Sequence, residues 1–179
     1  MIKTARMLTP IGPVTLAAEG NALAALWMEK QRFFGVVEGK TVAPFPSEDS
    51  DDPVLLLAKD WLGRYFAGEK PNPRELPLAP CGSDFQRRVW ELLLDVPYAE
   101  VITYGQLAAR LAERRGRPVA PQAIGGAVGR NPIALIIPCH RVIAAGGKIG
   151  GYGGGIRRKE FLLNLERGGP LPDSSIIFD

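Results

Sequence analysis

Two cysteines and one histidine are all that 179 residues hold of thiols and imidazole bases. That scarcity excludes a disulfide framework, which needs paired cysteines, and a Cys/His zinc module, which needs clustered ligands; no metal site is expected. Long apolar runs are missing as well. Runs such as Val54 to Ala58 and Ile133 to Ile137 are far too short to span a bilayer, and the N-terminal MIKTARMLTPIG has no apolar targeting core. A cytoplasmic chain without membrane association is the expectation. No GxSxG elbow, HExxH or Walker lysine motif is present, so any chemistry rests on few side chains. What is there suffices for a core: 46% of residues are hydrophobic and 23% charged, and the length allows one domain or two small ones.

The net charge of +3 is unevenly placed: residues 1–80 carry 9 basic and 10 acidic side chains, residues 81–179 carry 13 and 9. Between Arg110 and Arg141 six arginines face the single acid Glu113. Such a bias suits a polyanion, or equally a solvated basic face. The first 40 residues read as strands, with Pro13 to Ala17 and Ala22 to Trp27 flanking a turn at Glu19-Gly20-Asn21. Val42 to Pro53 is proline-rich and acidic and reads as a loop, with Asp51 or Asp52 free to cap a helix at its end. From Pro53, Val54, Leu57, Ala58, Trp61, Leu62 and Tyr65 recur at helical spacing for about three turns, ended by Gly68.

Pro71 to Pro80 holds four prolines and reads as an interdomain connection, dividing the chain into 1–76 and 77–179. Ser83 to Gln86 and Thr103 to Gln106 are capping boxes, each opening a helix. The first helix shows an apolar face of Phe85, Val89, Leu92, Leu93 and Val96; the second buries Leu107, Ala108 and Leu111. Pro121 then opens a helix containing Gly125, Gly126 and Gly129, which give up roughly 2–3 kcal/mol of propensity relative to alanine. Either another helix or a nucleic-acid backbone comes close there, and two short helices in a basic region have the outline of a helix-turn-helix. The expected fold class is an α/β N-terminal domain, a small antiparallel sheet plus helix, followed by a mainly α C-terminal domain.

The chemistry concentrates in Ile133 to Val142, IALIIPCHRV, where Cys139 adjoins the only histidine, His140. A thiol is a useful nucleophile once a base favours the thiolate. On an extended segment neighbouring side chains point apart, so Cys139 and His140 need not touch directly and a bound water can relay the proton; the alternative is an inert cysteine beside a surface histidine. Glu166 is the candidate to orient the imidazole and Glu160 its competitor. Seven glycines in the ten residues 146–155 form either a flexible linker or a loop bringing amides against a flat substrate, with Tyr152 as its wall.

The string from Asn131 to Val142, with its PCHRV core, resembles the active-site signature of the O6-alkylguanine-DNA alkyltransferases. The resemblance runs from Ser83 through FQRRVW, ITYGQLA, IGGAVGRNP, the glycine-rich loop and KEFLL to Glu166. It implies a protein that binds damaged duplex DNA by a helix-turn-helix in the minor groove and rotates the alkylated guanine out of the stack. Cys139 would accept the alkyl group once and irreversibly, from O6-alkylguanine and to a lesser degree O4-alkylthymine, with no cofactor and no obligate protein partner. His140 would take the thiol proton through a water, oriented by Glu166, while Asn131 braces the turn into the active-site segment. Tyr104 would donate to the departing guanine, and backbone groups at Cys139 and Val142, together with Tyr152 and the glycine-rich loop with Gly153, would line the base pocket. Gln122, Ala123, Gly126 and Arg130 would face DNA.

Two departures accompany the resemblance. Gln122 stands where the family has an arginine that fills the gap left by the flipped base, and Gly153 where many members carry a hydroxyl. The tract Arg114-Arg115-Gly116-Arg117 lengthens the turn and offers compensating phosphate contacts. The rival readings are a lesion-binding protein without transfer, a regulator without chemistry, and a thiol hydrolase.

Overall fold

The computed structural model describes residues 1–37, 40–41 and 50–171. Most of the proline- and acid-rich stretch, at 42–49, and the tail from 172 lie outside them. Three antiparallel strands open the chain: β1 (Ile2–Thr9), β2 (Gly12–Glu19) and β3 (Ala22–Met28), in that spatial order. The β2–β3 turn falls at the expected Gly20, which takes the left-handed φ of 59°. β2 is apolar without alternation because both faces of the sheet are covered. Leu16, Leu23 and Leu26 join the main core, while Ala17, Ala25 and Trp27 pack with Val37 on the other side. Two-residue strands β4 (Val36–Val37) and β5 (Lys40–Thr41) pair beyond it.

Helix α1 (Pro53–Phe66) covers the sheet. Asp52 is its cap, accepting from the Val54 and Leu55 amides at 3.0 and 3.3 Å. At 14 residues it runs about four turns, not three. Its buried stripe contains Leu55, whereas Leu57 is half-exposed at 51%. On the helical wheel Leu55 lies beside Leu62 on one flank of the Val54–Ala58–Trp61–Leu62–Tyr65 stripe and Leu57 lies beyond Trp61 on the other; the first flank is the buried one, which corrects the face expected from sequence.

The Pro71 to Pro80 connector is ordered. A 3₁₀ turn at Pro73–Glu75 is capped by Asn72, and Leu78 then bridges to Leu23 of β3. The Leu23 amide donates to Pro77 O at 2.7 Å, and the Ala79 amide donates to Leu23 O at 2.9 Å. Further along β3, Leu26 bridges in the same way to Ile133. The connector and a segment from the second half of the chain thus extend this sheet.

Three helices come next. α2 (Asp84–Leu94) and α3 (Tyr104–Arg115) begin at the two capping boxes, with Ser83 and Thr103 as caps. α4 (Pro121–Val128) begins at its proline. Between the last two, Gly116 ends α3 in the left-handed conformation at φ 66°. Trp90 of α2, fully buried, donates its indole N–H to Ala127 O of α4 at 2.9 Å and fixes the spacing of this trio. A short parallel pair, β6 (Ile102–Thr103) with β7 (Val142–Ile143), and the last helix α5 (Ile156–Glu166) close the fold. The small sheet with its helix followed by a helical part is the fold class expected from the sequence.

Candidate alkyl-acceptor site

α4 ends at Val128 and the chain turns through Asn131, whose buried amide ties the turn together. Its Nδ2 donates to Ile137 O at 2.8 Å and its Oδ1 accepts from the Ile133 amide at 3.0 Å. Within that closed turn Leu135 is held at φ 70°, a left-handed conformation costing roughly 1–2 kcal/mol for a residue with a side chain. The cost is offset by what the turn presents. The Asn131 side chain and the Leu135 backbone both act on the Cys139 thiol in the direction that favours its thiolate.

Cys139, His140 and Arg141 form a 3₁₀ turn rather than the extended segment expected. Pro138 enters with φ −80°, the Arg141 amide returns to Pro138 O at 3.0 Å, and both side chains after the cysteine are drawn to one carboxylate. His140 Nε2 lies 2.7 Å from Glu166 Oε1, and Arg141 contacts both oxygens of Glu166, Nη2 to Oε1 at 2.9 Å and Nε to Oε2 at 2.9 Å. Glu166 rather than the exposed Glu160 therefore meets the imidazole. Burial works against the Glu166 charge, but His140 and Arg141 outweigh it and hold the carboxyl at about 2.

His140 is fully buried, and burial pushes its pKa below the ordinary value against the pull of Glu166. A neutral imidazole that donates from Nε2 to Glu166 carries its lone pair on Nδ1. Nδ1 has no hydrogen-bond partner, a buried acceptor left open beside the thiol's residue. Burial raises the Cys139 thiol, and Asn131, the Leu135 backbone and the Lys159 ammonium oppose that rise. The site thus holds a shielded thiol, an open base and a fixed carboxylate.

Cys139 opens onto a cavity of about 760 Å³ whose lining includes Tyr104, Asn131, Tyr152, Gly153 and Arg130. Its size is within the range that takes small organic ligands. Val142 is not on that wall: it is fully buried, and its carbonyl accepts from Lys159 Nζ at 2.5 Å. Its side chain belongs to the core, and its backbone pairs with Ile102 of β6. Cys81 lines the cavity as well, on its exposed side. Among the described residues no group of three or more His, Cys, Asp or Glu gathers to hold a metal, and no helix is long and apolar enough to cross a membrane.

The glycine-rich loop is no flexible linker. Arg158 Nη1 donates to Glu29 O at 2.8 Å and to Gly154 O at 3.1 Å, and Lys159 Nζ donates to Gly151 O at 3.1 Å. Gly154 needs to be bare, for a Cβ there would stand 2.6 Å from Met28 Sδ and 2.9 Å from the Tyr152 ring. Outside the cavity, Gln122, Ala123 and Gly126 lie exposed on α4, and a Cβ on Gly126 would meet nothing within 4 Å. Arg130 is exposed 5.1 Å from the Phe33 ring centre. Of the arginine tract, Arg114 pairs with Asp95 at 3.2 Å and Arg115 lies over Phe85, while Arg117 is exposed.

With that geometry in place, comparison with known proteins is decisive. The family model for the ribonuclease-like domain of 6-O-methylguanine DNA methyltransferase matches residues 2–80, and the model for its DNA binding domain matches residues 84–168. The methylated-DNA–protein-cysteine methyltransferase of Mycobacterium tuberculosis is 44% identical over 172 residues, 96% of this chain and 95% of that protein. The chain belongs to the 6-O-methylguanine DNA methyltransferase family. A second relative of the same name, from Mycobacterium leprae, is 43% identical over 167 residues, 93% of each chain. The crystal structure of Mycobacterium tuberculosis OGT in complex with DNA superposes with a TM-score of 0.78 at 42% identity, covering 99% of both chains.

Three residues of this methyltransferase-family site escaped the sequence reading. Arg141 stands inside PCHRV, where the thiol and the imidazole before it carry the recognisable chemistry. Arg158 and Lys159 carried a signal: each lies four residues before a buried leucine, Leu162 and Leu163, so both sit on the apolar stripe of α5 that ends at Glu166. A cation on such a stripe is buried for a reason.

Proposed function

We propose that the chain repairs DNA by direct reversal, moving the alkyl group of O6-alkylguanine, and to a lesser degree O4-alkylthymine, to Cys139. The observation that carries this is the cavity-lining thiol beside a buried imidazole whose Nδ1 is open and whose Nε2 is held by Glu166. The thiol proton passes through a water to Nδ1; the sulfur attacks the alkyl carbon; the carbon–oxygen bond breaks and its electrons remain on the guanine. Tyr104, half-buried at the cavity wall, donates to the base as that charge develops. Tyr152 and Gly153 hold the flipped base, Asn131 keeps the turn closed, and Lys159 supports the thiolate. The product thioether is stable, so each molecule reacts once.

The exposed face of α4, with Gln122, Ala123, Gly126 and Arg130, enters the minor groove of duplex DNA, and Gln122 fills the gap left by the base. Residues 77–179 form the DNA-binding and transferase domain and residues 1–76 its support, acting in the cytoplasm as a monomer without cofactor. Duplex DNA bearing labelled O6-methylguanine tests this: about one equivalent of label on Cys139, absent in Cys139→Ala, is expected. Binding without transfer points instead to a lesion-binding protein, and repeated turnover to a hydrolase.

A further inference from the structure

Glu166 has more donors than orienting an imidazole requires. Besides His140 and Arg141, Oε2 accepts from the Ala99 amide at 3.2 Å, and Oε1 accepts from the Tyr65 hydroxyl at 2.7 Å. His140 and Arg141 belong to the same turn as the nucleophile. Tyr65 does not: it stands on α1, 101 residues upstream in sequence, under the sheet of the ribonuclease-like half. Its ring is 1% exposed, stacked on Trp61 at 5.5 Å and edge-on to Phe66 and Tyr98. A hydroxyl so deeply buried needs an acceptor. The one it meets is the carboxylate oxygen that also faces His140.

We infer that Tyr65 is a positioning residue of the proton relay, through which the N-terminal half of the chain sets the basicity of His140. The inference rests on reading Cys139, His140 and Glu166 as the alkyl-acceptor site. Its physics is that of a shared acceptor. A hydroxyl donating to Oε1 takes up part of the negative charge there, so the carboxylate stabilises an imidazolium less and His140 stays neutral with Nδ1 open. The other charged or titratable groups around the pair are Arg141 and Lys159, which oppose an imidazolium, and Tyr98, Tyr152 and Cys139. Replacing Tyr65 by phenylalanine removes the hydroxyl and leaves the ring stack in place.

His140 is the only histidine, so in tag-free protein its imidazole NMR signals are unambiguous. Titrating them in the wild type and in Tyr65→Phe, alongside single-turnover transfer from O6-methylguanine duplex over the same pH range, reads the relay twice. The His140 midpoint in Tyr65→Phe is expected at least about 0.5 pH unit higher, with the acid limb of the transfer rate moved upward with it and DNA affinity unchanged. A ring-fluorinated tyrosine placed at position 65, a stronger donor with the same shape, moves both the other way. Tyr65→Leu, which loses the ring, reports packing through its melting temperature. If Tyr65→Phe and the fluorinated chain titrate like the wild type, Tyr65 is only a packing residue and the inference is wrong. If the wild type transfers no alkyl group, the functional reading fails, and the His140 titration still decides whether Tyr65 sets its basicity.

Discussion

Lys159 shows how far a residue's chemistry departs from its type when the fold takes its water away. Its ammonium is fully buried, donating to Val142 O and Gly151 O, and burial brings its pKa from 10.5 to about 8, with Cys139 pulling the other way. Between those two values the unfolded chain holds a proton that the folded chain has released. Stability contributed by this residue therefore rises with pH across the window from about 8 to 10.5, and below it the buried charge costs roughly 3 kcal/mol. A fold retains such a cost where the charge is used, and here the charge lies near the thiol. In Lys159→Met the rise of melting temperature between about pH 8 and pH 10, relative to wild type, should vanish. The transfer rate near neutral pH should fall about tenfold as the thiol loses its cation. Parallel melting curves and an unchanged rate would mean that Lys159 only ties two carbonyls together.

Among the elements, those with local chemistry at their ends were legible. The Ser83–Gln86 and Thr103–Gln106 boxes, the Pro121 start and the Gly20 turn each satisfy or free backbone groups within four residues, so sequence and structure agree there. What was illegible depends on distant partners. The Cys139–Arg141 turn forms around a carboxylate 25 or 26 positions away, and the connector around Leu78 is ordered by an edge of β3 that lies more than fifty residues earlier. The glycines of α4 fall between. The two explanations open from sequence were helix packing and approach to DNA, and at Gly126 the first finds no atom to pack against. Gly126→Ala should therefore raise stability by about 1 kcal/mol, as an exposed helical glycine predicts. The same methyl group should weaken duplex binding several-fold while leaving its salt dependence unchanged, because no phosphate contact is removed. A melting curve and a binding titration separate the two effects; a variant that is more stable and binds equally well would deny this face to the DNA.

At the scale of the whole molecule, two family models meet near residue 80, but the physical seam is hard to find. One buried cluster includes Ala5 of β1, Trp61 of α1, Leu93 of α2, Ile137 and Leu162 of α5. Polar ties run the same way. Arg158 Nε reaches Ile11 O at 2.9 Å, Tyr65 reaches Glu166, and the exposed Arg74 of the connector pairs with Glu91 and Asp95 of the α2 region. The last contribute little, being solvent-screened. Arg158 contributes more, since its loss leaves the Ile11 carbonyl without its buried donor, at about 1–3 kcal/mol, and takes the same donor from two part-buried carbonyls. Halves joined by shared core and shared buried hydrogen bonds unfold together. In a Cys81→Ser background, two probes on opposite sides of the seam test this. With Trp90 also replaced by phenylalanine, heat should change the fluorescence of Trp27 and Trp61 and expose Cys139 to a thiol reagent along one coincident curve. In Arg158→Met both curves should shift to lower temperature by several degrees. Should Cys139 become reactive well before the fluorescence changes, the second half opens independently, and the hold of Tyr65 on Glu166 is too weak to keep the relay and its support in register.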